Sequence, residues 1–190
     1  MRIERVRAVP TCSGFFFDDQ RAIKGGATQD GFAYDGDPVT PGFDAVREAG
    51  EALTVELDLS DGRTVSGDCC AVQYSGAGGR DPLFRADRYR PVVGDRVADA
   101  LEGRDASEFG TNVAELEGMA GEDGREQLHT AVRYGVSQAL LAAAAHAAGE
   151  TRARTLADHL GTNRGHGRTE SADGPEPSGP ARVFTVASYR

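Results

Sequence analysis

Residues 52–60 constrain the fold more than any other stretch of this chain. Leu53, Val55, Leu57 and Leu59 alternate there with Thr54, Glu56, Asp58 and Ser60, a period of two that sets one apolar face against a core and one polar face in water. Asp61-Gly62 follows at once. Glycine accepts the positive φ of a tight turn, so this dipeptide is a strong hairpin signal and predicts residues 63–72 as the returning strand. A weakly alternating stretch at residues 2–9, with Ile3, Val6 and Ala8 as the candidates for burial, supplies a third strand. The expectation is a three-stranded antiparallel meander.

The pattern changes further along. Residues 84–101 and 105–119 read as helices separated by Glu102-Gly103-Arg104, and residues 121–124 as a turn. Residues 126–148 form the strongest helical pattern. Leu128, Val132, Val136, Ala139, Leu140 and Ala143 recur there at three- and four-residue steps among many alanines, which makes one apolar stripe on a good helix former. Residues 151–160 fit one more short helix. Strands followed by helices give an α+β domain, a meander and then a helical bundle.

Three segments are less regular. Residues 11–39 are rich in Gly and Asp and lack a period; they hold Phe15, Phe16 and Phe17, followed by Asp18, Asp19, Gln20 and Arg21. They read as a long loop, a feature usually kept for function, and residues 41–49 as one short helix. Residues 74–82, YSGAGGRDP, are too glycine-rich for the interior of a helix or strand. After Leu160 the chain is Gly-, Pro-, Ser- and acid-rich, with too little apolar surface to hold itself folded. This divides the sequence into a domain at 1–160 and a flexible tail at 161–190. In that tail Val183-Phe184-Thr185-Val186 reads as a short strand without a pairing partner in the chain.

The 190 residues carry a net charge of −9 and a pI near 4.9. Phosphate backbones and anionic membrane surfaces both require a basic face, so neither nucleic acid nor membrane is an expected partner. No run of eighteen apolar residues is present, and residues 1–10 lack the apolar core of a signal peptide; the expected location is the cytoplasm. Lys24 is the only lysine. An acidic, lysine-poor chain suits concentrated salt, and a GC-rich genome gives the same arginine bias. Cys12, Cys69 and Cys70 make a poor disulfide framework and are expected as reduced, mostly buried thiols.

The residues that carry chemistry are few. Gly76 to Gly79 lack the GK[ST] of a phosphate-binding loop; a tight strand-to-helix connection explains them, and a loop closing over a ligand held elsewhere explains them better. His159 and His166 stand seven residues apart with no metal-ligand pattern around them, and His129 is expected to be packed or solvated. Asp18 and Asp19 are neighbours in an extended segment, so their side chains point apart and do not make an acid–base pair. No GxSxG, no HExxH and no lysine in a catalytic setting occur. Read from its residues, the chain has no self-sufficient active site, no catalytic residue of its own and no metal ligands.

Three segments nevertheless resemble the 3-methylaspartate ammonia-lyases of the enolase superfamily: residues 14–32 (GFFFDDQRAIKGGATQDGF), residues 67–84 (GDCCAVQYSGAGGRDPLF) and residues 128–141 (LHTAVRYGVSQALL). The resemblance runs from Met1 to about Leu160. It implies an N-terminal capping domain whose loops at 12–39 and after Gln73 cover the mouth of a (β/α)-barrel, with the barrel itself essentially missing. It also implies a reaction, L-threo-3-methylaspartate to mesaconate and ammonia. Mg²⁺ held by barrel carboxylates would stabilise the charge that builds as a barrel base removes the C3 proton. Gln73, in AVQYSG, matches the glutamine that lines the amino-group pocket and is the one residue of this chain expected to touch substrate; a strand-end glutamine bonded to the loop backbone is the plainer alternative. Asp18, Asp19, Gln20, Arg21, Arg80 and Asp81 are expected to shape the cap loops. The family implies a homodimer in the intact enzyme. A chain that stops short of the barrel implies a complementing barrel chain, or else loss of activity. Val183-Phe184 resembles the start of the first barrel strand, but Val186 stands where the family has a substrate-binding glutamine. The alternatives are the cap of another enolase-superfamily enzyme, such as a dehydratase, and a non-catalytic binding remnant.

Overall fold

The computed structural model describes residues 1–71 and 81–161. Three strands form the main sheet: β1 (Ile3–Asp18), β4 (Arg47–Leu59) and β5 (Thr64–Cys70), antiparallel in the order β1–β4–β5. This is the meander expected from the sequence. Leu53, Val55, Leu57 and Leu59 are all buried on one face. The other face is wet and charged: Arg7 donates to Asp58 at 2.8 Å, and the Thr54 hydroxyl to Asp68 at 2.8 Å. The Asp61-Gly62 turn closes the β4–β5 hairpin, with Gly62 at φ +85° and its N–H on the Leu59 carbonyl.

The helices lie on the buried face, the last of them packed on the one before it. They are α2 (Ala86–Pro91), continuing through a π-helical turn at Val92–Val97 into α3 (Ala98–Leu101), then α4 (Phe109–Glu117), α5 (Thr130–Ala148) and α6 (Arg152–His159). Tyr89, Val93, Val97, Leu101, Leu116, Val132, Val136 and Leu140 meet the sheet residues in one core. Pro91 has no N–H to donate to the helix ladder, and the wider turn after it carries Val92, Val93 and Val97 together into that core.

The closest meeting is between α5 and β5. A Cβ placed on Gly67 would sit 2.2 Å from the Gly135 carbonyl oxygen, and one on Gly135 would sit 2.5 Å from the Cys69 backbone nitrogen. Helix and strand therefore touch backbone to backbone, which only glycine allows. Cys69 is buried beside this contact, and burial pushes its thiol up to about 12. Cys12 and Cys70 are exposed, which corrects the expectation that the thiols are mostly buried. Cys70 faces away from the core, one residue beyond Cys69 on the strand.

Several boundaries differ from those the sequence suggests. The expected loop at 11–39 is largely structured. β1 runs on to Asp18, with a register shift between Cys12 and Phe16; α1 (Gln20–Lys24) and a small hairpin, β2 (Thr28–Asp30) with β3 (Ala33–Asp35), follow. The helix expected at 41–49 does not form. Gly42 turns the chain at φ +96° and Arg47 joins the sheet opposite Asp18, while Val46 is buried and its carbonyl accepts the Asp19 N–H at 2.7 Å. Pairing with β1 thus overrides local helix propensity. α4 begins at Phe109 because Asp105 binds the Ser107 N–H at 2.9 Å in a side-chain turn. α5 begins at Thr130, where His129 caps it. The residues from 162 onward, with His166 and Val183–Val186, lie outside the described residues.

The backbone contact predicts an asymmetric response to alanine. Gly135→Ala should lower stability by about 1–3 kcal/mol through overpacking. Gly94→Ala, where a Cβ meets nothing within 4 Å, should be neutral or stabilising by up to about 1 kcal/mol. Urea unfolding midpoints of the two variants check this.

Candidate functional site

Strand direction gathers the irregular segments at one end of the sheet. β1 finishes there at Asp18, β4 starts there at Arg47, and β5 finishes there at Cys70, opposite Ala52. β4 overhangs β5 at this end, and the chain that re-enters at Asp81 runs alongside the overhang. Glu51 accepts the Ala86 N–H at 2.6 Å and so caps α2 from the sheet. Arg85 binds Glu48 at 2.6 Å, Glu51 at 2.9 Å and the Gly42 carbonyl at 2.5 Å.

Asp18 and Asp19 point apart, as their adjacency requires, and each is fully engaged. Asp18 takes Arg47 in two bonds, 2.6 Å from Nε and 2.9 Å from Nη2. The same guanidinium lies 5.4 Å from the Phe16 ring centre and 4.9 Å from that of Tyr34, a cation–π arrangement that ties the β2–β3 hairpin to the sheet. Asp19 is buried. One carboxylate oxygen accepts from the Arg21 and Ala22 N–H groups and from the Thr40 hydroxyl at 2.6 Å; the other accepts from the Val39 and Thr40 N–H groups at 2.7 and 2.8 Å. Burial pushes this carboxyl up, but the Thr40 hydroxyl and the Thr40, Val39 and Ala22 N–H groups outweigh it and hold the pKa at about 2. Asp19 therefore caps α1 and pins the far end of the 19–40 excursion with one side chain.

Asp81 begins the return from the segment that carries Gln73. Its carboxylate accepts the Thr130 N–H at 2.8 Å and an Arg125 N–H at 3.2 Å. The carboxyl sits below its usual range: burial raises it, and the Thr130 bonds, then the His129 and Arg125 charges, lower it further than burial lifts it. The buried His129 ring packs against the stacked pair of Phe84 and Tyr89, with Nε2 3.0 Å from the Pro82 carbonyl and Nδ1 accepting the Ala131 N–H at 3.0 Å. Burial first of all depresses its pKa, so it is neutral near pH 7 and its 3.9 Å approach to Asp81 is not an ion pair there. Sequence reasoning left His129 as a packed or solvated residue. Its position just ahead of the helix start was the only available signal of a cap, and the ring's reach to Pro82, 47 residues away, had none.

Gln73, Arg80 and the Gly76–Gly79 run lie outside the described residues. The described flanks, Ala71 and Asp81, are at this same end of the sheet. Gln20 opens α1, and Arg21 is exposed beside it. The other two described histidines stand apart from one another: His146 contacts Asp61 in the hairpin turn at 2.7 Å, and His159 packs edge-on against Phe109 at 5.0 Å. An open cleft of about 410 Å³ lies between α1 and the β2–β3 hairpin, lined by small residues with Arg21, Asp35 and Asp37; it does not enclose a ligand. Among the described residues no group of three or more His, Cys, Asp or Glu side chains is placed to hold a metal ion. Asp18, Asp19, Glu48 and Glu51 are committed to arginines, a hydroxyl and N–H groups, so these four described carboxylates do not form a Mg²⁺ site.

Comparison with known proteins decides the family. A family model described as the methylaspartate ammonia-lyase N-terminus matches residues 1–161. The chain belongs to this family. Methylaspartate ammonia-lyase of Haloarcula marismortui is 68% identical over 163 residues, covering 85% of this chain and 39% of that relative. The Citrobacter amalonaticus enzyme is 51% identical and covered over 38% of its length. The crystal structure of β-methylaspartase from Clostridium tetanomorphum, a Mg complex, superposes with a TM-score of 0.80 at 47% identity, covering 86% of this chain and 39% of that one. The Citrobacter amalonaticus enzyme containing (2S,3S)-3-methylaspartic acid gives 0.78 at 50% identity, covering 85% of this chain and 39% of that one. The chain thus spans about 39% of the length of the relatives it matches, and the family's N-terminal part is what it shares with them. Among the described residues no helix is long and apolar enough to cross a membrane.

The Asp19 network sets an acid limit. Its folded pKa is below the unfolded value of 3.8, so its contribution is complete above 3.8 and is lost as pH falls through about 2. Asp19→Asn should cost about 1–3 kcal/mol at neutral pH and flatten the acid-unfolding curve over that window, as read by circular dichroism.

Proposed function

We propose that this chain is the capping domain of a methylaspartate ammonia-lyase, which eliminates ammonia from 3-methylaspartate to give mesaconate. The observation that carries this reading is the family-model match over residues 1–161, together with a relative of that name at 68% identity. In this reading the cap binds and orients substrate, and the proton transfer takes place on residues supplied by the remaining length that the relatives possess. Gln73 is the substrate contact: its amide oxygen accepts an N–H from the substrate ammonium, and its NH₂ group donates to a neighbour. Mg²⁺, when bound by that remaining part, supplies positive charge to the substrate carboxylate as charge builds on it. The titratable residues described at this end of the sheet are bonded to one another, which leaves them the task of holding the loops in place. The Citrobacter amalonaticus structure that contains (2S,3S)-3-methylaspartic acid supports the choice of substrate class.

The free thiols fit a reducing compartment, the cytoplasm. The acid excess over a single lysine fits a salt-adapted protein, and the relative at 68% identity comes from Haloarcula marismortui. A homodimer of the assembled enzyme, and a place in glutamate degradation, belong to the same proposal.

Complementation tests it. The 190-residue chain is mixed with the part of the Haloarcula marismortui relative that follows the matched region, Mg²⁺ is added, and mesaconate formation from 3-methylaspartate is followed by ultraviolet absorbance. Activity is expected only from the mixture, and Gln73→Ala should lower kcat/KM by about 10- to 100-fold, the loss of a charged hydrogen bond. A soluble, assembled mixture that makes no mesaconate would overturn the lyase reading. Mesaconate binding by the chain without turnover in the mixture would replace it with a non-catalytic binding module.

A further inference from the structure

We propose that His129 is a positioning residue: its ring ties the Pro82 carbonyl to the first turn of α5, and so fixes where the segment carrying Gln73 rejoins the helical layer. The functional part of this inference rests on the reading of Gln73 given above; the structural part does not.

The two ring nitrogens face opposite requirements. The Ala131 N–H, 3.0 Å from Nδ1, can only donate, so Nδ1 must carry a lone pair. The Pro82 carbonyl, 3.0 Å from Nε2, can only accept, so Nε2 must carry the proton. One neutral tautomer satisfies both. The neighbouring residues make a second tie, since the Asp81 carboxylate accepts the Thr130 N–H at 2.8 Å. Two consecutive residues on one side, Asp81 and Pro82, are thereby stapled to two on the other, Thr130 and His129.

A helix cap alone does not explain a histidine here. Ser, Thr, Asp and Asn cap better. A hydroxyl at this position is too short to reach Pro82 as well, and a carboxylate has no proton to give its carbonyl. The ring is 3% exposed and held by Phe84 at 5.3 Å and Tyr89 at 4.8 Å, so it cannot swing away to solvent without opening the core. This combination marks a rigid strut with one donor end and one acceptor end.

The strut is sensitive to acid. Among the described residues, the charged or titratable groups facing the ring are Asp81, Arg125, Glu122 and the phenol of Tyr89. Burial and Arg125 disfavour the imidazolium, Pro82, Asp81 and Glu122 favour it, and burial prevails. A second proton would aim Nδ1–H at the Ala131 N–H and break the cap. With the folded pKa below the unfolded value of 6.5, the unfolded chain takes up the proton first. The staple's contribution is therefore complete above 6.5 and is lost as pH falls below it.

The test begins without substrate. ¹⁵N-histidine NMR of the full chain at about pH 7.5 should show His129 as the neutral Nε2–H tautomer. Trypsin cleavage at Arg80-Asp81 is then measured relative to cleavage at Arg63, in the hairpin turn. His129→Phe should raise that ratio by about tenfold, the scale of one or two lost buried hydrogen bonds, while His129→Gln, whose amide can donate to Pro82, should restore most of the protection. In the complementation mixture His129→Phe should raise KM more than it lowers kcat. An Nδ1–H tautomer, an imidazolium, or an unchanged cleavage ratio in folded His129→Phe overturns the proposal. Should His129→Phe not fold, the wild-type chain decides: the ratio must rise as the tautomer signal is lost below pH 6.5, and a flat ratio refutes the strut. An intact tautomer and clamp in a mixture that makes no mesaconate removes the Gln73 reading and leaves the strut standing.

Discussion

The rest of this structure depends on how close α5 can come to β5. The Gly67–Gly135 meeting removes the usual layer of side chains between helix and strand, so the two backbones touch. Val132, Val136 and Leu140 then reach the same core as Leu53, Val55 and Leu57. The contact also determines where α5 starts. With the helix seated this deep, its first turn stands beside Asp81 and Pro82, at the end of the sheet where the long segments gather. A bulkier residue at either glycine would lift the helix and move that first turn with it.

That end of the fold holds many charges, and the ones described are spent on architecture. Asp19 gathers five donors, Asp18 takes Arg47, Glu48 and Glu51 share Arg85, and Asp81 takes Thr130 and Arg125. Asp19, the fully buried one, is tolerable because it is saturated with hydrogen bonds. The result is a firm rim that holds irregular chain in one geometry.

Much of the fold was legible in the sequence. The alternation of 53–59 and the Asp61-Gly62 turn are local signals, and they give the meander and its buried face. The stripe of Val132, Val136, Ala139, Leu140 and Ala143 gives α5 in the same way. The misread stretches are those whose structure comes from distant partners. Arg47 looks like part of a helix until it pairs with Asp18 across the sheet, 29 residues away. Asp19 looks like a loop aspartate until Val39 and Thr40 fold back onto it. Gln73 became a candidate only through resemblance to a family, because a substrate glutamine and a strand-end glutamine look alike in one sequence. The Glu51–Arg85 pair and the reach of His129 to Pro82 join positions with no shared period, so no local pattern could announce them.

β1 has a consequence of its own. It is the outer strand of the three, and a 16-residue border of unpaired peptide groups is an invitation to any other extended chain. The fold blunts it along its length. The Gly103 N–H and the Arg104 carbonyl occupy Ile3, Glu102 takes the Val6 N–H, Arg5 and Arg7 bring charge, Pro10 withholds a donor, and the irregularity between Cys12 and Phe16 spoils the spacing. What defends this molecule against sticking to its neighbours in a crowded solution is thus shared between β1 itself and the distant turn at residues 102–104.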